Sequence, residues 1–260
     1  IFNPEFEVSA DIARLSAGQH LRFSINEGPD SIIFVKDDAF LQRDKDQKIE
    51  LVLPTKKLPL HGEHNLLNAM PAIVVGTLFN LSIDQIGTAL QSFQSLPHRL
   101  ELVLERKGIR YYNDSLATMP EATVKALESF SKPLVLIAGG YERNQDFTML
   151  AKTILEKGIV GLVLFNPTGK RLAEEIEKQI VDLGSNEKVY PKIEFAENMK
   201  EAVNKAQKIL AETKNTDPDM KETESTIKTI LMSPASASFG MFTDYKDRGE
   251  QFKEVVKEIS

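Results

Sequence analysis

Residues 231–239 read Leu-Met-Ser-Pro-Ala-Ser-Ala-Ser-Phe. They follow a β-branched run, Thr226-Ile-Lys-Thr-Ile230, and precede a stretch of helical periodicity, Tyr245 to Ile259. Strand, small-residue loop and helix in that order are expected to leave backbone N–H groups and serine hydroxyls uncovered at a helix N-terminus, where they suit an anion. An ordinary strand-to-helix turn rich in Ser and Ala satisfies the same composition.

Four further polar clusters fall at element ends. Asn65 and Asn68, three apart at the start of an apolar stretch, share a helical face. Two amides on one face can read the donor and acceptor edge of a purine; helix capping by Asn65 is the alternative. Pro97-His98-Arg99 stands in a linker, where a basic residue serves a ligand or only a hinge. Asn113-Asp-Ser-Leu-Ala-Thr118 ends a strand just before Pro120. Asp114 there could meet ribose hydroxyls and Thr118 an anion, or the segment is a helix cap with Pro near N1. Gly139-Gly140 opens the loop that carries Arg143. Paired glycines allow a tight turn and close backbone approach, and an arginine over strand ends can clamp a carboxylate through two N–H bonds. The pair is not GxGxxG, so no dinucleotide site is read from it. His61 and His64 lack the i,i+4 spacing and a third ligand, so a zinc site is not expected.

The elements that must position these clusters follow from periodicity. Residues 1–60 read as short strands and turns, with strands at 21–25, 31–35 and 49–53 and a turn at 27–30 between the first two. Helices are expected at 64–79 and 82–93, the second with Ser82 and Gln85 at capping-box spacing. Ser95 to Arg99 is the expected domain boundary. A hairpin follows at 101–112, turning at 106–108. Beyond it strands (134–138, 160–165, 193–196, 227–232) alternate with helices (120–130, 147–157, 169–183, 199–212, 245–259). Repeated β-α units imply an α/β fold with a mostly parallel sheet, which binds ligands at the carboxyl ends of its strands. The polar stretch 213–226 reads as a mobile surface loop.

Bulk properties exclude several classes. The 260 residues carry a net charge of −6, which argues against nucleic-acid binding through a basic face. Cysteine is absent, so there are no disulfides, in keeping with a reducing compartment. The apolar stretch 69–79 is too short to span a bilayer, and no signal-peptide pattern opens the chain. The chain begins at Ile1 rather than Met, so it is expected to be part of a longer protein.

In their order, the motifs resemble those of the Mur ligase family, most closely its D-glutamate-adding branch. They are His64-Asn65-Leu-Leu-Asn68, Leu96-Pro-His-Arg-Leu-Glu101, Asn113-Asp-Ser-Leu-Ala-Thr118, Gly139-Gly140 with Asp146-Phe147, and Ser233-Pro-Ala-Ser-Ala-Ser238 with Arg248-Gly249 and Phe252. The resemblance implies that residues 1–96 are the end of a central P-loop-type ATP-binding domain and 97–260 a Rossmann-like domain for the incoming amino acid. It implies ATP-dependent amide formation. The carboxylate of UDP-N-acetylmuramoyl-L-alanine takes the γ-phosphoryl of ATP as an acyl phosphate, and the amine of D-glutamate displaces phosphate. Mg2+ and fixed cations stabilise the transferring charge.

Residue by residue, the resemblance implies that Asn65 and Asn68 lie near adenine and that Arg99 and Asp114 contact ribose or phosphate. Thr118, Arg143, Ser238 and Tyr245 would surround the D-glutamate carboxylates, with Phe239 and Phe242 shaping that pocket or packing beneath it. Leu116 departs from the lysine common there, and Arg143 from a frequent lysine. No GxxxxGK[ST] loop occurs, so the magnesium ligands are expected upstream and the chain alone is expected to be inactive. A cytoplasmic monomer, with no nucleic-acid or membrane partner, is the accompanying expectation. A superfamily ligase for L-glutamate or folate, or a non-catalytic binding module, stays open as an alternative.

Overall fold

The computed structural model describes every residue except His61, Lys132, 184–189, 214–226 and Ser260, with backbone only at 182 and 183. The expected mobile loop at 213–226 therefore lies, after Thr213, outside the described residues. The chain divides into two compact units, Ile1–Ser95 and Leu96–Ser260.

In the first unit, β1 (Arg22–Phe23), β2 (Ser31–Lys36), β3 (Ala39–Arg43) and β4 (Ile49–Pro54) form one sheet in chain order. β1 and β2 run parallel, and the other neighbours are antiparallel. Helices α2 (Glu63–Leu78) and α3 (Ile83–Ser92) pack on it around Ile33, Phe40, Leu53, Met70, Ile73 and Ile86. Ser82 caps α3 with both bonds of the capping box to Gln85, as its spacing predicts.

Two elements here differ from the sequence reading. Glu7–Arg14 is a helix, α1, in a stretch expected to hold only strands and turns. It buries no residue. Its apolar Val8 and Ile12 stand one helical turn apart, a spacing that also fits alternation. β3 was not expected as a strand. It is reached through Asp37-Asp38, both left-handed at φ 50° and 56°, a two-residue hairpin turn without the Asn-Gly or Asp-Gly signal.

The second unit opens with the hairpin β5 (Glu101–Arg106) and β6 (Ile109–Asn113). Then come α4 (Pro120–Glu128), β7 (Leu134–Gly139), α5 (Thr148–Lys157), β8 (Gly161–Phe165), α6 (Thr168–Leu183), β9 (Lys192–Phe195), α7 (Met199–Glu212), β10 (Lys228–Met232) and α8 (Tyr245–Lys257). The strands form one sheet in the order β5-β6-β10-β7-β8-β9, with only β5 antiparallel. Alternation along each strand sends side chains to opposite faces. Leu134, Leu136 and Ala138 join the core under α4, α5 and α6, while Val135 and Ile137 join the core under α7 and α8. β10 enters between β6 and β7. Chain leaves β6 for one face and β10 for the other, so the strand order switches there and a crevice opens at the carboxyl edge.

Candidate functional site

Three loops meet at that edge: 113–119 after β6, 139–147 after β7 and 233–244 after β10. Gly139 and Gly140 make the meeting possible. Their φ values are 96° and 148°. A Cβ on Gly139 would stand 2.2 Å from the Phe165 carbonyl oxygen, and one on Gly140 would stand 2.5 Å from that of Ala237. The loops are then stitched together. Tyr141 N–H donates to the Ala237 carbonyl at 2.8 Å. Gln145 Nε2 donates to the carbonyls of Thr118 (3.1 Å) and Ala235 (3.4 Å).

The serine loop does not act as an open anion cradle. Ser233, Ser236 and Ser238 are all buried. The Ser233 hydroxyl donates to Asp114 Oδ2 at 2.7 Å, and that of Ser236 lies 2.8 Å from Thr168 Oγ1. Nor does the loop end at a helix N-terminus. Residues 239–243 intervene, and Asp244 caps α8 by accepting from the N–H groups of Lys246 and Asp247. The sequence shows the small residues but not that the hydroxyls of Ser233 and Ser236 turn inward, because the partners lie more than 60 residues away in the chain.

Asp114 sits among these bonds, 5% exposed. Its Oδ1 accepts from Leu100 N–H at 3.1 Å and its Oδ2 from Ser233. Burial pushes its carboxyl up to about 6, against the pull of Ser233, Leu100 and the Arg99 charge. Arg99 itself is exposed.

Arg248, quoted above only as part of a motif, is the residue whose role sequence reasoning missed. It is fully buried. Its Nε donates to Ser115 Oγ (2.9 Å), its Nη2 to the Ser115 carbonyl (2.8 Å) and its Nη1 to the Ser236 carbonyl (3.0 Å). One guanidinium thus joins the loops after β6 and β10 to α8. Burial pulls its pKa down to about 9. The neighbouring Gly249 admits the His98 ring, for a Cβ there would stand 2.2 Å from Nδ1. His98 is buried, 3.0 Å from Asn113 Nδ2, with its ring edge-on to Tyr245.

Of the residues expected around the acceptor, Thr118 and Tyr245 are half-buried, Ser238 is buried and Arg143 is exposed. All four lie on this edge. The Tyr245 carbonyl accepts from Ser115 Oγ at 2.7 Å, and Arg143 stands over the Phe239 ring at 5.4 Å. Phe242 packs beneath, edge-on to Phe165. Leu116 is half-buried between Ser115 and Ala117. In the first unit, Asn65 is not the helix cap, since Gly62 occupies that position. It is buried within α2, and the exposed Asn68 donates through Nδ2 to its Oδ1 at 3.3 Å. His61 lies outside the described residues. Among the described residues no three His, Asp or Glu side chains converge as a metal site.

Comparison with known proteins agrees with this architecture. The family model described as Mur ligase, glutamate ligase domain, matches residues 98–217. The UDP-N-acetylmuramoylalanine–D-glutamate ligase of Caldicellulosiruptor saccharolyticus is 33% identical over 259 residues, covering 100% of this chain and 52% of that protein. The ligase of the same name from Natranaerobius thermophilus is 32% identical, covering 98% of this chain and 50% of its own. The chain therefore spans about half the length of the curated relatives it matches. Among solved structures, MurF from Acinetobacter baumannii superposes with a TM-score of 0.63 at 14% identity, over 98% of this chain and 51% of that one. At that identity the likeness concerns the fold. Motif order, sheet topology and whole-chain similarity converge on the Mur ligases, and residues 98–217 of the chain match that family's glutamate ligase domain.

Proposed function

We propose that this chain is the C-terminal half of an ATP-dependent ligase that adds D-glutamate to UDP-N-acetylmuramoyl-L-alanine. Residues 1–96 would be the end of the central ATP-binding domain, and 97–260 the domain that receives the amino acid. The observation that carries the reading is the gathering of Thr118, Arg143, Ser238 and Tyr245 on one sheet edge, in a chain similar throughout its length to ligases of that name.

ATP supplies the activating phosphoryl group, and the acceptor amine then forms the amide bond. This chain's part is to bind and orient. Arg143 offers a planar set of donors to a glutamate carboxylate, and the Thr118 and Ser238 hydroxyls complete its hydrogen bonds. Tyr245 walls the pocket. On the nucleotide side, Asn68 reads the adenine edge with Asn65 bracing it through their 3.3 Å bond, and Arg99 beside Asp114 meets ribose or phosphate. Because the sequence holds no phosphate loop, phosphate and Mg2+ binding is expected from residues outside this chain, and the chain alone is expected to be inactive. No helix among the described residues is long and apolar enough to cross a membrane. A cytoplasmic monomer fits its soluble substrates.

Calorimetric titration of the chain with D-glutamate and with L-glutamate, each with and without ATP, tests the proposal. Selective binding of the D form is expected. Preference for the L form overturns the acceptor assignment, as does binding of neither by the full-length ligase in the presence of ATP.

A further inference from the structure

Arg143, unlike Arg171 beside the same loop, has no counter-charge among the described residues. The adjacent Glu142 is taken by Arg171 of α6, whose Nη1 lies 2.6 Å from Glu142 Oε1. Arg171 Nη2 also donates to the Gln145 carbonyl at 2.9 Å, which pins the loop after β7 to that helix. Among the described residues Arg143 makes no ion pair, and it is exposed. A free arginine on a loop ordinarily samples many rotamers, and ordering it costs side-chain entropy. Here the guanidinium carbon stands 5.4 Å from the centroid of Phe239.

Phe239 is itself unusual: a phenylalanine 48% exposed on the serine loop. Tyr141 meets it edge-on, with ring centroids 5.9 Å apart. The Tyr141 backbone is fastened to Ala237, two residues before Phe239. Tyr141, Phe239 and Arg143 thus make a line of contacts across two loops. A ring beneath a guanidinium attracts it through its negative face and leaves the N–H donors at the edge free.

We propose that Phe239 is a positioning residue for Arg143. Its ring, braced by Tyr141, holds the guanidinium ready for the acceptor carboxylate and lowers the ordering cost of binding. An arginine suits this platform better than a lysine, whose compact, strongly hydrated ammonium does not stack as a plane. The inference rests on the acceptor-site reading above.

The test is steady-state kinetics in the full-length ligase carrying this chain, with KM measured separately for D-glutamate and ATP. Arg143→Ala is expected to raise KM for D-glutamate far more than KM for ATP. Phe239→Leu, which keeps bulk but removes the ring, should raise KM for D-glutamate about two- to fivefold, the equivalent of a surface cation–π contact. KM for ATP and kcat should stay unchanged, and Phe239→Tyr should restore the wild-type value. In an Arg143→Ala background, Phe239→Leu should add nothing further. If Arg143→Ala leaves KM for D-glutamate unaltered, the acceptor reading falls and the positioning role with it. If Arg143→Ala has its effect but Phe239→Leu has none, or acts equally without Arg143, the positioning role alone is overturned.

Discussion

Asp114 shows how a residue can be readable in a sequence while its state is not. An aspartate at a strand end, beside Ser115 and ahead of Thr118, announces a polar site. What the fold adds is burial, which raises its carboxyl from 3.8 to about 6. Between those values the native state binds more protons than the unfolded chain, so stability falls as pH rises. This stabilisation is fully present below the unfolded value and is gone once pH has passed through the folded one. A shift of about two pKa units corresponds to about 3 kcal/mol. Asp114→Asn removes the titration. From about pH 4 to about pH 7 the variant is expected to gain about 3 kcal/mol relative to wild type, read from urea midpoints at the two pH values. Parallel pH dependence of the two proteins would sink this account.

At the scale of elements, one buried side chain ties two of the site's three loops to a helix. Arg248 belongs to α8, yet its three bonds end on Ser115 and Ser236. Arg248→Met leaves three buried acceptors without their donor, at a cost of about 3 kcal/mol in all. Arg248→Lys should recover little, because one ammonium cannot span acceptors on two loops as a planar fork does. Hydrogen exchange gives the specific signature: amides in 233–238 should exchange faster in Arg248→Met, while those of β8, remote from the lost bonds, keep their protection. Uniform loss of protection would mean that Arg248 supports the whole unit rather than these loops. Most elements of this unit were legible because their apolar periodicity is long and local. α4, α5, α6, α7 and α8 all lie within a few residues of the expected ranges. The first unit was less legible. α1 has no core to face, and β3 is five residues long behind an uncommon turn, so neither leaves a strong periodic trace.

At the scale of the molecule, residues 96–260 form a unit whose sheet and two cores are drawn from within that span. Expressed alone, it should therefore melt cooperatively, with dispersed amide resonances. A non-cooperative transition would show that its cores need the first unit. The α/β class, the β-α alternation and the family motifs could all be read from residue types and spacing, because these depend on neighbours close in the chain. The inward turn of the Ser233 and Ser236 hydroxyls, the burial of Asp114, the joining role of Arg248 and the line of contacts through Tyr141, Phe239 and Arg143 could not. Each depends on contacts between segments from 68 to 133 residues apart, and only the closing of the sheet, with β10 set between β6 and β7, brings those segments into reach.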